Sequence, residues 1–289
     1  MWKRLIIVIL LVVIAAVAGV VRSHSGGLSE FKGLVSQNSA GQTREEKRET
    51  YELAPGARVE VFNINGSVNI ETSDSKTAEV YVERTATSPE SLGRRKVTIE
   101  CNASSLRVYG ERSNAGFWAR LFGSNPSERV TLKLPRQISL LAKGVNGSVV
   151  AQEIEGSLEV HGVNGRVQVA SALGAANLKG INGNVLLSLR QLNLDAVSIA
   201  GINGNIELRL ADGVNGYLEA NGMNGQVVSD ASEVTIEKGK HGRYWVQIGS
   251  GGNSISARGI NGNIRLTRSP AVAAAGQQAE SKAATTTTK

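Results

Sequence analysis

One short phrase, Gly-[Val/Ile/Met]-Asn-Gly-x-[Val/Ile], recurs six times between Gly144 and Leu266 and limits what this 289-residue chain can fold into. A further Asn-Gly copy lies upstream of these six. Copies in the dense region are 18, 18, 21, 21 and 37 residues apart. A period of about twenty residues is typical of proteins built from stacked repeats. The asparagines of the phrase are Asn65, Asn146, Asn164, Asn182, Asn203, Asn224 and Asn261.

Each Asn-Gly pair predicts a tight turn, because asparagine and glycine accept positive φ angles at little cost. The residues on either side alternate between apolar and polar. Leu158 and Val160 precede one turn, and Val167 and Val169 follow it. Such alternation places the apolar side chains on one face of a strand. Abundant glycine (33 residues) and scarce aromatic residues (4%) agree with an all-β body of many short strands.

Two architectures satisfy this pattern. In a meander, each Asn-Gly pair would close a hairpin in a barrel or sandwich. In a β-solenoid, each repeat would form one coil stacked on the next, which explains the nearly constant spacing. We predict the second: an all-β, single-stranded β-solenoid or β-helix with an N-terminal β-rich lead-in and an N-terminal membrane helix.

A solenoid predicts a role for the repeated asparagines as a structural turn ladder. Their side-chain amides would hydrogen-bond from one coil to the next. The longest step, 37 residues, would hold two repeats, one of which has lost its asparagine. His241 then stands where that asparagine is expected.

Four segments are expected along the chain. Residues 1–22 contain seventeen uncharged and almost wholly apolar residues from Leu5 to Val21, which would span about 26 Å as a helix. They predict a retained signal anchor, and the alternative is a signal peptide cleaved after Ala16-Val17-Ala18. Residues 23–50 are a polar spacer, residues 51–268 form the solenoid domain with its dense repeats at 144–266, and residues 269–289 form a disordered tail.

The densest aromatic cluster of the chain lies between the lead-in and the repeats. It consists of Phe117, Trp118, Leu121 and Phe122, with loop-forming residues on both sides. One interpretation is a loop that folds over the β body and buries its aromatic rings there. The other is an exposed interaction loop for a partner or a membrane interface.

The sequence indicates neither nucleic-acid binding nor a catalytic or metal site. The formal charge is +7, but the basic residues are scattered and no basic patch is interleaved with aromatic residues. The histidines lack metal-ligand spacing, and the aspartates fall on different expected coils. The single cysteine, Cys101, cannot form an internal disulfide and is expected to be a small buried hydrophobe. We therefore predict a non-enzymatic protein without a cofactor.

The apolar N-terminal segment, the lead-in with one Asn-Gly pair and the repeated G-[VI]-N-G-x-[VI] phrase together resemble the bacterial putative adhesin family built on a domain of unknown function, type 4097. The resemblance covers about Tyr51 to Leu266. It implies a β-solenoid at the cell envelope and supplies no catalytic residues.

These expectations favour an extracytoplasmic, adhesin-like interaction scaffold at the bacterial cell envelope. It would be anchored to the membrane by its N-terminal segment, or be secreted or periplasmic if that segment is cleaved. Expected partners are surface glycans, acidic polymers or envelope proteins. One alternative is an envelope-stress sensor or regulator that acts through a membrane partner. Another is a polysaccharide-active β-helix enzyme.

Overall fold

A computed structural model describes residues 34–37, 42–112, 125–192 and 197–268. These residues form twenty-two strands and one four-residue helix. The lead-in elements are β1 (Leu34–Gln37), β2 (Thr43–Glu52), β3 (Arg58–Phe62), β4 (Gly66–Ser73), β5 (Thr77–Ala86), α1 (Pro89–Leu92), β6 (Arg95–Asn102), β7 (Ser105–Arg112) and β8 (Ser127–Pro135). The repeat strands are β9 (Ser139–Lys143), β10 (Val149–Ile154), β11 (Leu158–Val163), β12 (Val167–Ala172), β13 (Ala176–Asn182), β14 (Val185–Leu189), β15 (Val197–Asn203), β16 (Ile206–Leu210), β17 (Gly216–Asn221), β18 (Val227–Ser229), β19 (Val234–Lys238), β20 (Tyr244–Ile248), β21 (Ser254–Asn261) and β22 (Ile264–Arg268).

The strands form two sheets of eleven strands each. Sheet A has the order β1-β2-β5-β8-β4-β10-β12-β14-β16-β22-β18, and sheet B has the order β19-β20-β17-β21-β15-β13-β11-β9-β3-β7-β6. Each Asn-Gly turn joins a strand of sheet B to a strand of sheet A. Strands of successive repeats then pair in parallel, as β10 pairs with β12 and β11 with β13.

Stacked rows of aliphatic side chains fill the space between the two sheets. Each strand alternates buried and more exposed residues, and parallel pairing in register brings equivalent residues together. One continuous core contains residues from both sheets, so the sheets pack face to face. Burial of each such side chain contributes about 1.5 to 3 kcal/mol before conformational entropy is subtracted. One row in sheet A consists of Val149, Val167, Val185, Ile206, Ile264 and Val227.

The second glycine of the phrase is required by the close approach of neighbouring turns. Gly165 has a φ of 157°, and a Cβ placed on it would lie 2.3 Å from the carbonyl oxygen of Gly147. Gly183 stands in the same relation to Gly165, again at 2.3 Å. A side chain at either position would collide with the backbone of the adjacent turn, so only glycine fits there.

The prediction of a single-stranded β-solenoid is wrong. Both sheets are mixed, because antiparallel strands lie at the lead-in end of sheet A and at both ends of sheet B. At the lead-in end β2, β5 and β8 pair antiparallel in sheet A, and β6 and β7 do so in sheet B. At the other end β20 pairs antiparallel with both β17 and β19.

The chain also leaves sequence order at its last described strands. Strand β21 pairs with β15 on one side and with β17 on the other. Strand β22 likewise lies between β16 and β18. The final repeat is therefore inserted between the two repeats that precede it in sequence.

The long step of 37 residues does not contain a repeat that has lost its asparagine, so that interpretation of His241 is wrong. It contains the antiparallel hairpin β19–β20. His241 lies in the turn of this hairpin with a φ of 59°, and the amide of Gly239 donates to the carbonyl of Arg243 at 2.8 Å.

The predicted membrane helix and tail lie outside the described residues, which include neither 1–22 nor 269–289. Within the described ranges, no helix is both long and apolar enough to cross a membrane. The folded body begins earlier than the sequence indicates. Strand β2 starts at Thr43, inside the segment predicted as a spacer, and pairs with β5 along its full length.

Candidate ligand-binding groove

The seven asparagines of the repeated phrase lie in one row along the edge where sheet B turns into sheet A. The Nδ2 of Asn182 donates to Oδ1 of Asn164 at 3.1 Å, and the Nδ2 of Asn203 donates to Oδ1 of Asn182 at 3.0 Å. Similar bonds of 2.9 to 3.1 Å join the other members. The spatial order is Asn65, Asn146, Asn164, Asn182, Asn203, Asn261 and Asn224.

This row uses both polar atoms of most of its amides. Each interior asparagine donates to one neighbour and accepts from the other, and the first, Asn65, donates to the carbonyl of Pro126 at 2.8 Å. The row therefore joins the stacked turns to one another and offers few unused donors. We assign it to the scaffold rather than to a binding site.

A second row of amides, which sequence reasoning missed, lies two residues further along three of the turns. Asn184 Oδ1 accepts the backbone N–H of Asn205 at 3.0 Å, and Asn205 Oδ1 accepts that of Asn263 at 3.0 Å. Asn263 Oδ1 accepts the N–H of Gln226 at 2.9 Å. The variable position of the phrase, which is asparagine in three of its six dense copies, was the signal for this row.

The second row differs from the first because its side-chain oxygens accept hydrogen bonds while its side-chain nitrogens donate none within the described residues. No side-chain hydrogen bond from Nδ2 of Asn184, Asn205 or Asn263 is formed within the described part of the chain. All three side chains are exposed. They present hydrogen-bond donors to solvent at intervals of one strand, about 4.8 Å.

These donors border a shallow groove of about 560 Å³ on the outer face of sheet A. The groove crosses five adjacent strands, β12, β14, β16, β22 and β18. It therefore extends for about 19 Å across the sheet. Its lining residues are Arg166, Gln168, Asn184, Val185, Leu186, Asn205, Ile206, Glu207, Val228, Asn263 and Arg265.

The groove combines polar donors with a small apolar floor. Leu186 is half-buried and Val228 is 38% exposed. Arg265 lies 3.2 Å from Asp230, and Glu207 accepts from Arg209 at 2.7 Å, so these charges are partly neutralised. Arg166 is exposed and makes no ion pair with any described residue. The groove thus suits a ligand rich in hydrogen-bond acceptors that also has an apolar face.

The exposed aromatic residues have a structural explanation. Tyr217 and Trp245 are each 44% exposed on the outer face of sheet B. A Cβ added to Gly239 would lie 2.7 Å from the Trp245 ring, and one added to Gly251 would lie 2.3 Å from the Tyr217 hydroxyl. Each ring covers a glycine and shields its backbone.

A buried ion pair lies at the lead-in end, outside the groove. Arg95 and Glu128 are 6% and 1% exposed, and the Arg95 Nε donates to Glu128 Oε1 at 2.9 Å. Glu128 Oε2 accepts the backbone N–H of Asn65 at 2.8 Å, and Arg95 also donates to the carbonyl of Asn63. These contacts fix the first Asn-Gly turn, at which the row of asparagines begins.

Two further expectations from the sequence concern the interaction loop and metal ligands. The predicted interaction loop, with Phe117, Trp118, Leu121 and Phe122, lies outside the described residues. Within the described ranges, no group of three or more histidine, cysteine, aspartate or glutamate side chains is arranged to hold a metal ion.

No family model matches the chain, and no curated protein matches it in sequence. Several solved structures are similar at the level of the fold. A putative cell adhesion protein from Clostridium sporogenes is 13% identical, with 84% of this chain and 100% of that chain covered and a TM-score of 0.38. A putative adhesin from Parabacteroides merdae is 12% identical, covers 78% of this chain and 96% of its own, and has a TM-score of 0.30.

A putative lipid binding protein from Parabacteroides distasonis is also similar, with 10% identity, 78% of this chain and 97% of that chain covered, and a TM-score of 0.27. Similarities at these values do not assign a function to the present chain. Its function must therefore be argued from its own residues.

Proposed function

We propose that this protein is a non-enzymatic, adhesin-like scaffold that binds glycan chains through the groove on the outer face of sheet A. The observation that carries the proposal is the row of unused amide donors of Asn184, Asn205 and Asn263, set at strand spacing along the groove. A sugar chain presents hydroxyl and ring oxygens at regular intervals. Such oxygens accept hydrogen bonds from amides and guanidinium groups.

The floor of the groove supports the same class of ligand. Sugar rings have apolar C–H faces as well as polar edges, and Leu186 and Val228 offer aliphatic contacts between the donors. The open, shallow shape also fits an extended chain better than a compact small molecule, which is typically enclosed by its pocket. A scaffold of this kind needs no catalytic group.

The surface location that we propose follows from the same role. A glycan-binding scaffold would act outside the cytoplasm, at the cell surface. The apolar run from Leu5 to Val21 favours export, since it has the composition of a secretory signal.

A glycan array probed with the full chain tests the proposal. We expect binding to one or a few extended glycans, and about tenfold weaker binding by the double variant Arg166→Gln/Arg265→Gln. Arg129→Gln/Lys133→Gln is the charge-matched control, because both residues lie on the outer face of sheet A, on β8, and neither lines the groove. The proposal fails if the array shows no binding, or if both double variants weaken binding equally.

A second variant tests whether the glycan contacts the apolar floor of the groove. Leu186→Asp places a carboxylate on the apolar floor without changing a buried position. It should abolish glycan binding while leaving thermal unfolding within about 1 kcal/mol of the parent. Unaltered glycan affinity in Leu186→Asp would contradict a ligand that lies in the groove.

A further inference from the structure

A row of basic side chains crosses the outer face of sheet B, the opposite side of the molecule from the groove. Lys143 on β9 is in register with His161 on β11, and His161 is in register with Lys179 on β13. Across the sheet, Lys179 is in register with Ala200 on β15, and Ala200 is in register with Arg258 on β21. We call Lys143, His161, Lys179 and Arg258 the cation row.

The cations of this row are not neutralised by the protein. Lys143, Lys179 and Arg258 are exposed, and none of them forms an ion pair with a carboxylate in the described part of the chain. His161 contributes less to the exposed charge, because its Nε2 is buried without a hydrogen-bond partner and lies 4.0 Å from Glu159. Most other arginines of the fold are paired, as Arg107 is with Glu60 and Glu100. Lysines outside the row, such as Lys76 and Lys240, also make no ion pair with a described residue, so the row is distinguished by its alignment across the strands, which favours a linear anionic partner.

The row is narrow and straight. Its four members share one register position across five consecutive strands, of which β15 carries Ala200 instead of a basic residue. The row extends about 19 Å and is one side chain wide. On each of the five strands, the next residue along the chain is an exposed glycine. One flank of the row therefore has no side chains. These glycines are Gly144, Gly162, Gly180, Gly201 and Gly259. A partner can therefore approach the cations from that side.

The other flank of the row carries scattered carboxylates. The register position two residues earlier carries Glu159 on β11, and the same line continues to Glu60 on β3 and Glu219 on β17. The other positions of this line are uncharged: Leu141, Asn177, Ser198 and Ser256. A flat anionic membrane pressed on this face would meet these carboxylates together with the cations. A thin linear chain can follow the cation row and avoid them.

We propose that the cation row binds a linear polyanionic glycan, with one carboxylate on each sugar unit. The length of a sugar unit is close to the spacing of neighbouring strands, so successive carboxylates can meet successive strands. Phe62, on β3 beside Lys143, continues the row with a half-buried ring, and the Arg107 guanidinium lies over that ring at 5.7 Å from its centroid. This surface is independent of the groove on sheet A, and either can fail without the other.

Polygalacturonate is the probe, because it is a linear polymer with a carboxylate on each unit. We expect the full chain to bind it in low salt, with affinity that falls steeply as salt is raised. The triple variant Lys143→Gln/Lys179→Gln/Arg258→Gln should lose about ten- to a hundredfold in affinity. The control is Lys76→Gln/Lys96→Gln/Lys240→Gln, which removes the same charge from exposed positions outside the row. It should keep most of the affinity.

Two further measurements complete the test. Lys143→Arg/Lys179→Arg keeps the charge and should keep the affinity. Vesicles of phosphatidylglycerol test the membrane alternative. The proposal is overturned if polygalacturonate does not bind, if the two triple variants lose equal affinity, or if the chain binds the vesicles and not the polymer. Glycan-array binding that survives the cation-row variant would show that the groove acts separately.

Discussion

The guanidinium of Arg95 and the carboxylate of Glu128 form an ion pair that is almost fully shielded from water, with Nε and Oε1 2.9 Å apart. The pair joins β6 of sheet B to β8 of sheet A at the lead-in end. Because Glu128 also accepts the backbone N–H of Asn65, it connects the pair to the first turn of the repeated phrase.

Removal of one member should therefore be strongly destabilising. Glu128→Gln leaves the Arg95 charge buried without a counter-ion, and we expect a loss of about 3 to 5 kcal/mol in the free energy of unfolding. Urea denaturation followed by circular dichroism measures it. Glu52→Gln, at an exposed carboxylate with no ion pair among the described residues, should change stability by less than about 0.5 kcal/mol. Equal losses would show that the buried pair is dispensable.

The row of asparagines should contribute to stability through its amides. Asn182→Ala removes one bond to Asn164 and one from Asn203, and we expect a loss of about 1 to 2 kcal/mol because both bonds are at the surface. The control is Asn177→Ala on the same strand, whose exposed side chain makes no hydrogen bond to any described residue. If the two variants unfold at the same urea concentration, the side-chain bonds of the row add nothing.

The two glycines of the phrase should differ in their tolerance of a methyl group. Gly162→Ala meets no atom closer than 3.8 Å, but its φ of 63° costs about 1 to 2 kcal/mol for a residue with a Cβ. Gly165→Ala adds a collision with the Gly147 carbonyl, so we expect it to cost about 2 kcal/mol more than Gly162→Ala. Thermal unfolding of both variants provides the comparison, and the reverse order would contradict the close approach of the turns.

Acid should weaken one contact at the end of β22. Hydrogen bonds from Arg268 lower the pKa of the Glu233 carboxyl below its usual value. Because the pKa of Glu233 is lower in the folded than in the unfolded state, its ionised carboxylate stabilises the fold at pH values above the unfolded-state pKa of about 4.3. This stabilisation is lost as the pH falls through the folded-state pKa. Glu233→Gln should therefore lower stability at about pH 7 and make progressively less difference towards about pH 3.

The matched control for the acid experiment is Glu237→Gln. Glu237 is an exposed carboxylate on the neighbouring strand β19 and makes no ion pair within the described ranges. Its replacement should leave the pH dependence of unfolding unchanged. A constant difference between Glu233→Gln and the parent at both pH values would contradict the role of the Arg268 contact.

Local features of the sequence were sufficient to predict turns and strand faces. The alternation of Leu158 and Val160 with polar residues reflects burial on one face, and both are buried in β11. The Asn-Gly pairs reflect backbone angles that few other residues adopt. These properties depend on a few neighbouring residues, and so they are readable without knowledge of the whole fold.

The choice of neighbours in the sheets could not be predicted. The repeat around Asn261 has the same pattern of apolar residues as the others, so it can stack on any of them. Its place beside Asn203 depends on the hairpin β19–β20, which occupies the outer edge of β17 and leaves the inner edge for β21. Pairings between residues so far apart in sequence have no local signature.

The candidate groove was missed for a related reason. Arg166 and Arg265 are 99 residues apart in sequence and meet one groove only because of the order of the strands. The cation row likewise joins Lys143 to Arg258 through that order. The formal charge of +7 was visible in the composition, but the alignment of these basic residues along one line of sheet B was not.

Strands β21 and β22 lie between strands that are synthesised before them, and this affects folding during synthesis. Residues 254–268 leave the ribosome after β17 and β18, so the facing edges of β15 and β17 cannot form their native pairs until that segment has been made. Open strand edges are templates for pairing with any available strand. At high concentration the same segment of a second nascent molecule can fill the gap, and the product is a dimer with exchanged C-terminal strands.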